Sequence, residues 1–127
     1  MEITKRIMFV LFALVLSAGL CGCGKKSADA GKPMSQVKTE AEKMSTSDLR
    51  STAMAYKDAI TAKKGELETL AAKLKAIPVT EMVGEKAKSL NAEIGKVKDS
   101  ITALTERFQV YFDKLKEKGG DVSGLTI

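Results

Sequence analysis

The side chains most able to do covalent chemistry in this sequence are two cysteines, Cys21 and Cys23, separated by one glycine. A Cys-x-Cys pair can form a disulfide or supply two ligands to a metal ion. The chain has no histidine and no further cysteine, so a metal site built from these side chains lacks its other ligands. Both cysteines also end an apolar run, where targeting segments are cut. We therefore favour a processing site over a disulfide or a metal site.

No constellation of catalytic residues accompanies these cysteines. The sequence has no nucleophile paired with a base, no phosphate-binding glycine loop and no metal-ligand spacing. Without histidine, acid–base chemistry would fall to lysines, tyrosines and carboxylates. We predict that the protein is not an enzyme and has no cofactor, metal or evident small-molecule substrate.

Residues 1–22 have the order of a secretory signal peptide. Lys5 and Arg6 precede an apolar run from Ile7 to Leu20. A membrane-spanning helix needs about 20 apolar residues, and polar residues arrive before that length is reached. We therefore predict that this segment is cleaved rather than kept as a transmembrane anchor.

The segment Leu20-Cys21-Gly22-Cys23 resembles the lipobox of bacterial lipoproteins. That motif places an aliphatic residue three positions before the acylated cysteine and a small residue directly before it, which fits Cys23 and not Cys21. A cysteine two positions before the acylated one is unusual. The resemblance implies a diacylglycerol on the Cys23 thiol, palmitate-type acylation and a bilayer as partner, so the protein would be anchored and not spanning. Gly24, standing where an aspartate would be the retention signal, implies the periplasmic face of the outer membrane rather than the inner membrane.

The residues after the lipobox are predicted to form a tether. Residues 23–33 comprise the lipidated cysteine and a polar segment rich in helix breakers. Its lysines could touch anionic head groups, although a solvated linker is the favoured interpretation. Elsewhere lysines alternate with acidic residues, which is typical of solvated helix faces and argues against nucleic-acid binding.

The rest of the chain is predicted to be all-α. Apolar residues recur in steps of three and four, and no strand pattern is present. We expect a short helix segment at about 34–44, long helices at about 47–77 and 80–118, and a C-terminal tail at 119–127. Pro78 ends the first long helix. Each long helix carries one apolar heptad stripe.

A short connector requires the two long helices to form an antiparallel coiled-coil hairpin. Pairing Leu74 with Val83 and Tyr56 with Ile101 aligns the two stripes without a slip. Lys63 interrupts the first stripe, and we expect its ammonium to reach solvent while its stem covers the seam. The predicted domain, residues 34–118, is thus this hairpin with a short additional N-terminal helix segment.

One end of the second long helix carries a cluster of large apolar side chains: Phe108, Val110, Tyr111 and Phe112. If exposed, such a patch would mark a contact with a protein partner. The favoured alternative is that residues 34–44 and the tail cover it.

The function expected from these features is that of a non-enzymatic envelope lipoprotein acting as a structural spacer or protein-interaction module. A core this small suggests a homo-oligomer or an envelope protein partner. In its anchor and heptads alone the chain resembles the murein lipoprotein, but it ends in Leu125-Thr126-Ile127 without the C-terminal lysine used for wall attachment. The alternative is a chaperone-like or inhibitory protein that holds a target along an apolar helical groove.

Overall fold

A computed structural model of the protein describes residues 27–127. The predicted signal peptide, residues 1–22, and Cys23 lie outside these residues. The described part is all-helical, as predicted, and contains no strand. Its elements are α1 (Met34–Lys43), α2 (Thr46–Lys75), a short 3₁₀ turn (Val79–Glu81) and α3 (Glu85–Glu117).

The short helix α1 forms where the sequence predicted a helix segment. It starts directly after Pro33, whose fixed backbone angle suits a helix start. Val37 and Ala41, four residues apart and therefore on one face, are fully buried. That face packs against α3, so α1 covers part of the longer helix.

Local signals set the start of α2 and the end of α3 as expected. The Ser45 hydroxyl accepts a hydrogen bond from the Asp48 amide at 3.2 Å and so caps α2. After α3, Gly119 adopts a left-handed conformation with φ 72°. The Gly120 amide then donates to the Leu115 carbonyl at 2.9 Å, which closes a Schellman-type helix end.

The connection between the long helices differs from the prediction. The second long helix begins at Glu85 rather than near residue 80. After Pro78 the chain makes the 3₁₀ turn, and Gly84 then takes an extended conformation as the helix N-cap. A Cβ on Gly84 would lie only 3.0 Å from the Glu81 carbonyl oxygen, so the tight turn suits a glycine. Val83, expected in the core opposite Leu74, is instead 81% exposed.

The longer connection changes which residues of α2 and α3 meet. The Tyr56 ring lies 5.4 Å from the Tyr111 ring, whereas the predicted register placed Tyr56 opposite Ile101. Nearer the start of α2, the Lys118 ammonium donates to the Met44 carbonyl at 2.7 Å. The Tyr56 ring thus contacts a residue ten positions further along α3 than the predicted register had placed opposite it, so the predicted pairing is wrong at this layer.

The core is concentrated in one half of the molecule, which we call the proximal half. Its buried cluster joins α1, the start of α2, the end of α3 and the C-terminal tail. We call residues 62–100 the distal half. Of the described helices, α2 and α3 alone share the seam there. Several stripe residues of this half are half-buried: Leu67, Leu74, Leu90 and Ile94. The Lys63 ammonium forms a salt bridge with the Glu66 carboxylate at 2.7 Å, and both side chains are partly exposed to solvent.

Candidate functional site

The predicted aromatic patch lies in the proximal half and is mostly covered. Phe108 is 3% and Tyr111 is 1% exposed, so these two belong to the core rather than to a free contact surface. Val110 and Phe112 are half-buried against the same cluster. The covering side chains come from α1 and from the tail: Val37, Ala41, Val122 and Leu125. In the described residues, α1 and the tail thus cover Phe108 and Tyr111.

A polar cluster lies beside this core, in an open cleft of about 520 Å³ between α1 and α2. The buried Tyr111 side chain lies beside the Glu40 carboxylate and Tyr56. Burial, and then electrostatic interactions with Tyr56 and Glu40, raise the Tyr111 pKa far above its usual value. The hydrogen bond from the Lys32 ammonium lowers the pKa of Glu40. The charges of Lys32 and Glu40 offset each other, and the Tyr111 phenol keeps its proton at neutral pH.

One polar atom in the wall of the cleft lacks a partner. Among residues 27–127, the Thr52 hydroxyl oxygen is the buried side-chain polar atom without a hydrogen bond. Other helical threonines, such as Thr61 and Thr69, donate to the carbonyl four residues earlier. The cleft is open, and an ordered water could satisfy this hydroxyl.

Residues 27–33, here called the N-terminal strap, are bound to the long helices. The guanidinium of Arg107, which is 8% exposed, donates to the Lys32 carbonyl through Nε at 2.9 Å and Nη2 at 2.6 Å. The Tyr56 hydroxyl donates to the Asp29 carbonyl at 3.2 Å. These hydrogen bonds hold residues 27–33 of the segment predicted as a tether, and its other residues, 23–26, lie outside the described part.

The strap lies beside the middle of the long helices. Ala28 and Ala30 share a shallow groove with Ala59 and Ala62 of α2 and with Ser100 of α3. This contact was not predicted from the sequence. The one local indication of it was Arg107, a cation placed between stripe residues of α3.

The connection between α2 and α3, residues 77–84, carries the most exposed large apolar side chains of the described residues. We call it the distal tip. Val79 is 90%, Val83 81% and Met82 45% exposed, while Ile77 is buried beneath them. The predicted register hid this surface because it assigned Val83 to the core.

The described residues provide no other chemical centre. In residues 27–127 no group of three or more histidine, cysteine, aspartate or glutamate side chains is placed to hold a metal ion. Over the same residues no helix is long and apolar enough to cross a membrane. No family model, curated protein or solved structure matches the chain.

Proposed function

We propose that this protein is a membrane-anchored envelope lipoprotein whose folded part is a protein-interaction module. The anchor rests on the resemblance of Leu20 to Cys23 to a lipobox, after a signal-like segment. The observation that carries the interaction role is the apolar seam of the distal half, where Leu67, Leu74 and Leu90 are only half-buried, because apolar surface left open along a seam marks a contact with a partner.

The architecture that we infer for this module is an antiparallel coiled-coil hairpin closed at one end. The opposite order of contacting pairs supports it, as do the two heptad stripes. In the proximal half α1 and the tail supply further layers of side chains, so the apolar seam is complete there without a partner. Any partner contact would then fall on the distal half.

The position of the strap favours an interaction module over an upright spacer. From Cys23 to Ser27 the chain can extend by at most about 14 Å. Ala28 and Ala30 of the strap lie beside Ala59 and Ala62 near the middle of α2, a helix of 30 residues, and Ser27 lines the cleft with Thr52 and Tyr56. A lipid on Cys23 would thus hold this part of the rod near the bilayer. Neither end of the rod could then extend away from the bilayer by the full length of α2.

The anchor is tested by labelling cells that express the full chain with a clickable palmitate analogue. We expect Cys23→Ser to lose the label and to leave the membrane fraction, while Cys21→Ser, the matched control, keeps both. Label retained by Cys23→Ser would contradict the assignment.

The interaction role is tested with a photocrosslinking amino acid in intact cells. Placed at Asn91, which is exposed beside Leu90 on the distal seam, it should give a discrete product with a protein or with a second copy. The same residue placed at Asp58, on the proximal half, serves as control. No product from Asn91, or the same products from both positions, would argue against the module.

The groove-binding alternative draws support from the half-buried seam of the distal half. Leu67, Leu74 and Leu90 expose part of their surface there. A chaperone-like protein should bind a hydrophobic dye along this seam and slow the aggregation of an unfolded client. If Leu74→Lys leaves both properties unchanged, the seam is not a binding groove.

A further inference from the structure

The distal tip combines exposed apolar side chains with free positive charge. Between Lys73 and Lys88 the sequence holds four lysines and two glutamates. Among the described residues none of these four lysines, at positions 73, 75, 86 and 88, forms an ion pair or side-chain hydrogen bond. At the other end of the rod, by contrast, Lys114 pairs with Glu117 and Lys118 donates to backbone carbonyls.

Short-range hydrogen bonds fix the turn at the tip. The Glu81 amide donates to the Pro78 carbonyl at 2.8 Å, and the Gly84 amide donates to the Glu81 carbonyl at 2.9 Å. The turn therefore has a defined backbone that holds its exposed apolar side chains in place.

From these observations we infer that the distal tip is a second membrane contact, which inserts Val79, Met82 and Val83 into the interface of an anionic lipid bilayer. The surrounding lysines complement acidic head groups and can extend their ammonium groups to the lipid surface. This inference rests on the proposed function, since the anchor holds the rod at the bilayer. Ala28 of the strap shares a groove with Ala62, about 20 Å along α2 from its end, so tilting the rod brings the tip to the same membrane.

A single tryptophan can report this contact, because the chain has none. The full chain carrying Val83→Trp is reconstituted into vesicles that contain phosphatidylglycerol and brominated lipid. We expect a blue-shifted emission and strong quenching by the bromines. Met54→Trp, which replaces another exposed apolar residue away from the tip, should show neither effect.

The charge requirement is tested in the same vesicles. Changing Lys73, Lys75, Lys86 and Lys88 to glutamine in the Val83→Trp chain should weaken the tip contact at least about tenfold. Neutral phosphatidylcholine vesicles should likewise give little quenching.

Each other outcome would overturn the inference. Equal quenching in neutral vesicles would remove the role of acidic lipids. A concentration-dependent blue shift without vesicles would identify a second copy as the occupant of the tip. Flotation with the vesicles but no quenching would leave the anchor standing and reject the tip contact. A chain that does not float at all would reject both the anchor and the tip contact.

Discussion

Arg107 links parts of the chain that are far apart in sequence. Its guanidinium is buried in the proximal half and donates to the carbonyls of Lys32 and Ala103. No carboxylate takes part in these bonds, so the charge is stabilised by carbonyl dipoles alone. The strap adds only two small apolar side chains to the core, Ala28 and Ala30. Its attachment should therefore depend strongly on this one side chain.

Replacing Arg107 with methionine should release the strap while preserving the apolar stem. We expect elastase to cleave after Ala28 or Ala30 about tenfold faster, because local opening becomes easier. Arg50→Met is the matched control, since Arg50 holds the C-terminal tail through the Asp121 carbonyl at 2.6 Å. Equal cleavage rates in wild type and Arg107→Met would show that other contacts hold the strap.

Tyr111 should make the fold sensitive to alkaline pH. Its raised pKa means that the folded protein keeps a phenol proton that the unfolded chain releases near pH 10. Its contribution is complete below pH 10 and is lost as the pH rises further. Tyr111→Phe should cost about 1 kcal/mol at pH 7, where Glu40 loses its polar interaction with the phenol. Urea unfolding should show this difference shrinking above pH 10, and a constant difference would contradict the assignment.

At the scale of the elements, the heptad stripes leave the register of α2 and α3 open. A slip of ten residues, which is one heptad plus a step of three, keeps the stripe residues on the seam, so both registers bury the same kinds of side chain. The length of the connection selects one register. Because Gly84 is the N-cap, α3 begins at Glu85, and Val83 lies in the connection and is exposed to solvent.

Replacing glycine with alanine should change the free energy of unfolding in opposite directions at Gly65, within α2, and at Gly120, just after α3. Gly65→Ala meets no atom within 4 Å, so it should stabilise α2 by about 0.5–1 kcal/mol. Gly120→Ala would place a Cβ 3.2 Å from the Thr46 Cβ and against the buried Leu115 side chain. We expect a loss of about 1–2 kcal/mol by urea unfolding. A neutral Gly120→Ala would mean that the tail is loosely packed.

At the scale of the whole molecule, stability is distributed unevenly. The proximal half joins three helices and the tail around buried aromatic side chains. The distal half has one seam between two helices, with half-buried leucines and an apolar tip. The chain thus combines a closed core with a more exposed arm, an arrangement suited to presenting the arm to a partner or surface.

Amide hydrogen exchange should reveal this difference along single helices. Residues 49–60 and 104–115 should exchange at least about tenfold more slowly than residues 67–74 and 90–97, because local opening of the two-helix region breaks fewer buried contacts. Mass spectrometry of peptides from each region would measure the rates. Uniform protection along α2 would indicate that a partner or a second copy completes the distal seam.

The sequence by itself determined the all-helical fold, the positions of the stripes and the helix ends at Ser45 and Gly119. These features depend on side-chain periodicity and on hydrogen bonds within a few residues, which are local. It also located the aromatic cluster around Phe108. The lipidation of Cys23 remains a prediction from the sequence, since that residue lies outside the described part.

Only the tertiary structure decided the register, the docking of the strap and the exposure of the tip. Arg107 and Lys32 are 75 positions apart, and nothing local to either residue specifies their contact. The two registers differ by ten residues at Tyr56, yet both keep the apolar stripes in contact, so the heptad pattern does not choose between them. Which surface stays uncovered depends on where the strap, α1 and the tail pack, and that is a balance of contacts over the whole chain.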